Sequence, residues 1–258
     1  MQHENGNRKA MCITGTVAKA ADRYAMDVMG LKSLTLMETA SSKIAEYVMK
    51  HFSLTQKLSV LCGVGNNGAD GVCTSRMLLR AGYQPQVYIV GSLEKASWEF
   101  LYQLCHFQQA GGTVMMYHPD VDPANAGEAA VMAVHPDSDT AADVASPFRA
   151  NRLPDDDILI DGIFGIGLHR EIAGDYRTFI EETNRRRHGF VLAIDAPSGI
   201  NTDTGELMGC GIKADVTITF GRNKTGLVCG AGQDFAGRVL VEDIGIPDEA
   251  YIEAETHA

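Results

Sequence analysis

Three short segments, far apart in the chain, place glycines beside carboxylates just after apolar runs. They are Gly63-Val-Gly65-Asn66-Asn67-Gly68-Ala69-Asp70-Gly71; Asp161, followed by Gly165-Ile166-Gly167-Leu168-His169-Arg170-Glu171; and Asp195-Ala-Pro197-Ser198-Gly199. The first matches GxGxxG at 63, 65 and 68, the pattern that lets a backbone approach a phosphate at a helix N-terminus. It lacks the Lys-Ser/Thr of a P-loop. No acid follows the next strand (Val90-Gly91-Ser92-Leu93) to clamp a ribose, which weighs against an NAD-dependent dehydrogenase. Asp70 suits either a ligand contact or the first turn of a helix, whose dipole favours an acid.

Asp161 and Asp195 each end an apolar run. Carboxylates so placed are poorly solvated and require a cation, a donor network or a proton. Together with Asn67 and Ser198 they offer only oxygen, which suits a hard cation better than zinc or copper. Ser198 lies in Ala196-Pro-Ser-Gly199, not in GxSxG, so a hydrolase nucleophile is not indicated. Arg170 has the planar fork that matches phosphate, and His169 beside it reads as a loop residue. Lys224, in Asn223-Lys-Thr-Gly226, reads equally as a site cation or a turn lysine.

The elements that position these residues alternate. Helices are predicted over about 16–29, 34–51, 71–81, 96–110 and 175–187. Strands are predicted over 58–64, 86–90, 113–117, 157–163, 189–194, 214–220 and 237–242. Strand–helix repetition implies parallel pairing with right-handed crossovers: an α/β, three-layer α-β-α Rossmann-like sandwich with a mostly parallel central sheet. Ligands of such sheets sit beyond the carboxyl ends of the strands, where all three glycine-rich segments fall. The 258 residues read as a single domain with its core over about 14–247 and tails at 1–13 and 248–258. The Ala-, Asp- and Pro-rich stretch 118–154 reads as a surface excursion with a helix between Ala124 and Val134.

Lys and Arg number 22 against 33 Asp and Glu, and a net charge of −11 disfavours nucleic-acid partners. No run approaches the ~18 apolar residues of a membrane span. The six cysteines form no CxxC and the eight histidines no zinc spacing, so the thiols read as reduced and the chain as cytoplasmic.

Taken together, the motifs resemble one family. Cys62-Gly-Val-Gly-Asn-Asn-Gly-Ala-Asp-Gly71 resembles the CGxGNNGGDG segment of the NAD(P)H-hydrate epimerases, the YjeF N-terminal domain family. Asp161-Gly-Ile-Phe-Gly-Ile-Gly-Leu-His-Arg170 resembles its DxxFGTGLxR, Asp195-Ala-Pro-Ser-Gly-Ile200 its DxPSGx, and Leu36-Met-Glu-Thr-Ala40 its LMENA helix. Ala214 to Phe220, Lys224 and Asp243-Ile-Gly-Ile-Pro247 follow in the family's order, so the likeness spans roughly Thr14 to Pro247.

The resemblance implies an isomerase of nicotinamide cofactor repair, usually a homodimer. It would interconvert the R and S forms of hydrated NADH and NADPH (NADHX and NADPHX), whose S form an ADP- or ATP-dependent dehydratase then restores. It implies that Asn66, Asn67, Gly68, Ala69, Asp70, Gly165, Ile166, Gly167, Leu168, His169, Arg170, Glu171 and Asp195 bind the hydrated cofactor. Asn67, Asp161 and Ser198 would bind one potassium ion per subunit. Asp195 is the expected acid/base: protonated loss of the C6 hydroxyl leaves a nitrogen-stabilised cation, to which water re-adds from either face. Ala69 stands where the family has a second loop glycine, and Thr39 and Ser41 where it has Asn and Gly. The competing reading is a non-catalytic nucleotide-ligand-binding or scaffolding module of the same fold.

Overall fold

The structure, a computed structural model, describes residues 12–117, 131–134, 141–144, 148–150 and 155–257. The chain runs α1 (Gly15–Asp27), α2 (Ser33–His51), β1 (Leu58–Cys62), α3 (Asn66–Arg80), β2 (Pro85–Ile89), α4 (Trp98–Gln109) and β3 (Val114–Tyr117). It continues through β4 (Val131–Val134), β5 (Ala141–Val144), β6 (Phe148–Ala150), β7 (Ile158–Gly162), α5 (Gly174–Asn184), β8 (Val191–Ile194) and β9 (Val216–Phe220). It closes with α6 (Gly230–Phe235), β10 (Arg238–Glu242) and α7 (Asp248–His257).

Eight strands form one sheet in the order β10-β9-β8-β7-β1-β2-β3-β6. Every pairing in it is parallel. The chain travels outward from β1 through β2, β3 and β6, then returns to β7 on the opposite flank of β1. That reversal leaves a crevice between β1 and β7, where loops diverge to opposite faces.

Side-chain alternation builds both faces. Leu58, Val60 and Cys62 of β1 join Ile158 and Ile160 of β7 under α2, α3 and α4, while Leu61 and Leu159 face α5 through Phe179 and Ile180. Strands covered on both faces lose their polar alternation, and β1 and β7 are buried at every position. Below residue 118, strand boundaries agree with the sequence reading to within two residues.

Several elements differ. Helix α3 begins at Asn66, not Gly71, and takes most of the first glycine-rich segment into its first turns. The glycines there serve packing: a Cβ on Gly68 would meet the Gly63 carbonyl oxygen at 1.8 Å, and one on Gly71 the Cys62 sulfur at 2.8 Å. Within 118–154, Val131–Val134 is strand β4, paired antiparallel with β5, where the end of a helix was expected; the remainder of that expected helix lies outside the described residues. Residues 148–150 are the edge strand of the main sheet rather than part of an excursion. The expected tail is helix α7, which buries Ala250, Tyr251 and Ala254 against Val17, Ala18, Ala21 and Ala25 of α1.

Candidate active site

The loops after β1, β7 and β8 converge with α1, α2 and the C-terminal segment on a cavity of about 420 Å³. Gly65, Asn66, Asn67 and Asp70 come from the first segment, Gly165 to Leu168 from the second, and Asp195 from the third. Ala18, Asp22 and Met26 of α1, Met37 and Ala40 of α2, Lys224, Ile244 and Tyr251 complete much of the wall.

Asp195 follows β8 with φ 63°, the only non-glycine residue in the left-handed region among those described. Asp and Asn adopt that conformation more readily than other non-glycine residues, because their short polar side chains bond locally. Its Oδ1 accepts from Lys224 Nζ at 2.7 Å, Thr219 Oγ1 at 2.9 Å and Phe220 N at 3.4 Å. Lys224, only 2% exposed, also donates to Thr219 Oγ1 at 2.8 Å and to the Phe220 carbonyl at 2.9 Å. A burial this deep requires a counter-charge and a full acceptor set, and Lys224 has both.

The segment before Lys224 is stitched to the start of α1. Ile13 N donates to the Asn223 carbonyl at 2.9 Å and Thr225 N to the Ile13 carbonyl at 2.8 Å. The N-terminal turn of α1 is held by Asp203, which accepts from Thr16 N at 3.0 Å and from Thr16 Oγ1 at 2.5 Å. These bonds fix α1 over the β8 end and bring Asp22 into the cavity. Burial raises the Asp22 carboxyl to about 6; Lys224 opposes this and Asp195 adds to it. Asp70 is raised well above the usual carboxylate range, by burial first and then by Asp195 and Asp22.

Behind the cavity Asp161 is fully buried and served by neutral donors only. Ser198 gives it a backbone and a hydroxyl hydrogen bond, and Ile163 N a third at 3.3 Å. Burial raises Asp161 to about 6, and those three bonds pull it back only in part. The Ser198 hydroxyl also accepts from Phe164 N at 2.9 Å. Asn67, in the first turn of α3, packs against the same segment: a Cβ on Gly165 would stand 2.9 Å from its Oδ1, and one on Gly162 3.2 Å from its carbonyl oxygen. Its buried Nδ2 has no partner. A lone buried carboxylate with an adjoining hydroxyl and amide is an oxygen cradle short of positive charge, and it fits a hard monovalent cation.

The sequence-predicted residues therefore divide. Asn66, Asn67, Asp70, Gly165, Ile166, Gly167, Leu168 and Asp195 line the cavity, while Asp161 and Ser198 stand behind it. Gly68 and Ala69 are buried within α3. His169, Arg170 and Glu171 are exposed and off the cavity wall, although the charge of Arg170 reaches the hydroxyl of Tyr176, a wall residue. Ala69 needs no special backbone, since it is helical. Thr39 and Ser41 lie off the wall, Thr39 bonding the Thr35 carbonyl and Ser41 the Asp70 carbonyl. Asp22 and Tyr251 were not found from sequence. For Asp22 the available signal is its place among the buried Ala18, Ala21 and Ala25.

Comparison with known proteins gives the family and the fold. Residues 33–226 match the family described as YjeF-related protein N-terminus. The chain is 37% identical over 233 residues to the NAD(P)H-hydrate epimerase of Limosilactobacillus fermentum, covering 90% of this chain and 95% of that one. It is 29% identical over 247 residues to the bifunctional NAD(P)H-hydrate repair enzyme Nnr of Thermofilum pendens, covering 93% of this chain and 42% of that enzyme. The crystal structure of yeast ynu0 superposes with a TM-score of 0.68 at 17% identity, over 95% of this chain and 93% of that one, which shows the shared fold.

Proposed function

The chain belongs to the YjeF-related protein N-terminus family, and from that premise we propose that it is an NAD(P)H-hydrate epimerase, interconverting the R and S forms of hydrated NADH and NADPH. The observation that carries the reading is the buried Lys224–Asp195 pair on the wall of a cavity where three glycine-rich strand ends meet. A carboxylate fixed there would face the carbon whose configuration changes.

The chemistry is loss and return of water at C6 of the hydrated nicotinamide ring. A proton reaches the hydroxyl oxygen, the C6–O bond breaks with its electron pair leaving as water, and the N1 lone pair closes an N1=C6 bond. Water adding to the other face loses its proton to a base. Lys224 holds Asp195 in position to face the cationic ring and to take that proton. Asn66, Asn67, Asp70 and the Gly165–Leu168 turn bind the cofactor, with Arg170 near enough to the wall to meet a phosphate at the rim. Asn67, Asp161 and Ser198 would hold potassium, which supplies a fixed positive charge beside the cavity. The naming of Nnr as a repair enzyme supports a dehydratase as functional partner. A homodimer rests on the family resemblance and a cytoplasmic setting on the free thiols; no helix among the described residues is long and apolar enough to cross a membrane.

The test follows exchange between (S)- and (R)-NADHX with the purified protein, with and without potassium. Exchange above the uncatalysed rate is expected, and its reduction to background in Asp195→Asn. An absence of exchange in the wild type would dismiss the reading.

A further inference from the structure

Expulsion of the C6 hydroxyl needs a proton that the Asp195–Lys224 pair does not hold. The Lys224 ammonium has three protons and three acceptors, Asp195 Oδ1, Thr219 Oγ1 and the Phe220 carbonyl, so none remains for a leaving group. The three donors to Asp195 all fall on Oδ1, which leaves Oδ2 open toward a proton of the substrate. The pair thus offers a base, and Lys224 has no proton free to serve as the acid.

Two further carboxylates line the same cavity, Asp22 of α1 and Asp70 of α3. The charged and titratable groups around Asp22 can be named element by element. Lys19 on its own helix is exposed at the rim. Lys224 and Asp195 approach from the β8 and β9 ends, and Asp70 from α3. Tyr251 of α7 is raised by burial and then by Asp22. Arg222 is engaged with Asp248 at 3.1 Å and lies 4.6 Å from the Tyr251 ring centre. The buried cation of the cavity is therefore committed to Asp195, and two acids remain in an enclosed space. Two carboxylates lining one enclosed space oppose each other's ionisation, which favours a retained proton there.

Resting on the epimerase reading, we propose that Asp22 is the general acid of the reaction, delivering a proton to the C6 hydroxyl while Asp195 serves as the base. An O–H bond forms on the departing oxygen as the C6–O pair leaves with it; the N1 lone pair makes the ring cation. Water adds at C6 and gives its proton to Asp195. At the end Asp22 is ionised and Asp195 protonated, which is the arrangement the reverse epimerisation needs. Acid and base come from separate elements, α1 and the end of β8, as inversion by two groups requires.

The experiment compares wild type, Asp22→Asn and Asp22→Glu in NADHX exchange across pH, with melting temperature as the measure of folding. Asp22→Asn is expected to lose roughly 10²–10³-fold in kcat with KM little moved. It should also lose the limb of the profile that falls as pH rises through ionisation of the acid. Asp22→Glu should restore much of kcat with that limb displaced. Wild-type exchange together with an Asp22→Asn variant that keeps kcat within a few fold and keeps its high-pH limb overturns Asp22 as the acid while leaving the epimerase reading intact. If wild type itself fails to exchange, the parent reading is what fails. Should the Asn variant not fold, the Glu variant decides: an undisplaced limb overturns the assignment.

Discussion

Ser198 closes on Asp161 through two donors: its backbone N–H meets Oδ2 at 2.8 Å and its hydroxyl meets Oδ1 at 2.5 Å. The pair joins the turn after β8 to the end of β7 and holds a carboxylate that, among the described residues, has no basic side chain in its shell. That relationship orders the glycine-rich turns on either side of the cavity, and it makes Asp161 a group whose ionisation the fold resists.

The Asp161 carboxyl stands at about 6 in the folded chain against an ordinary value of 3.8. A raised folded value means that its favourable contribution is fully present below the unfolded value and is lost as pH rises through about 6. The full span is on the order of 3 kcal/mol for a buried group with so large a shift. Asp161→Asn keeps a neutral side chain at every pH. Measured without potassium, the variant should therefore gain on wild type in melting temperature between about pH 4 and about pH 6.5. A constant difference across that interval would show that Asp161 does not titrate there.

Potassium should raise the melting temperature more than lithium does, and more at neutral pH than near pH 5, because a cation favours the ionised form of Asp161. At a concentration a hundred times its dissociation constant, a ligand of the native state adds about 2.7 kcal/mol. In Ser198→Ala the difference between the two cations should vanish, whatever the variant's own stability. Equal shifts with both salts in wild type would remove the cation site.

Asp195 combines a left-handed backbone with the counter-charge of a buried lysine, and substitutions separate the two. Asn tolerates the backbone and keeps an acceptor for Lys224, whereas Ala adds about 1–2 kcal/mol of backbone strain. Stripping a buried lysine of its partner altogether costs a further 3–5 kcal/mol, roughly. The expected melting order is wild type, Asp195→Asn, then Asp195→Ala, with epimer exchange at background in both variants. Equal melting of the two variants would contradict the strain argument.

Ala69 lies fully buried inside α3 in ordinary helical conformation. Restoring the family's glycine there should cost about 1 kcal/mol of stability and bring no gain in kcat. Gly68→Ala is the contrast, since its Cβ would strike the Gly63 carbonyl oxygen at 1.8 Å. That variant should lose hydrated-cofactor binding, or folding itself, in calorimetric and thermal measurements.

The central strands were legible because a strand covered on both faces must be continuously apolar, as Leu58–Cys62 and Ile158–Gly162 are. The common edge of the three glycine-rich segments was legible for a topological reason: parallel strands all end on the same side. The start of α3 was misread because glycines signal turns, yet Gly68 and Gly71 admit a close strand–helix approach. Helix α7 escaped notice because an acidic segment buries only small or isolated residues, Ala250, Tyr251 and Ala254, against α1.

By itself, then, the sequence determined the alternating elements, the edge at which chemistry collects and the residue types gathered there, since these follow from local pattern and strand direction. Tertiary structure alone decided that Lys224 pairs with Asp195 across 29 positions, that Ser198 rather than a base serves Asp161, and that Asp22 faces the cavity instead of solvent. The physical reason is that a carboxylate on an amphipathic helix or at a strand end has no intrinsic partner. Its charge state and its role are set by burial and by whichever donors the packing of distant segments brings within reach.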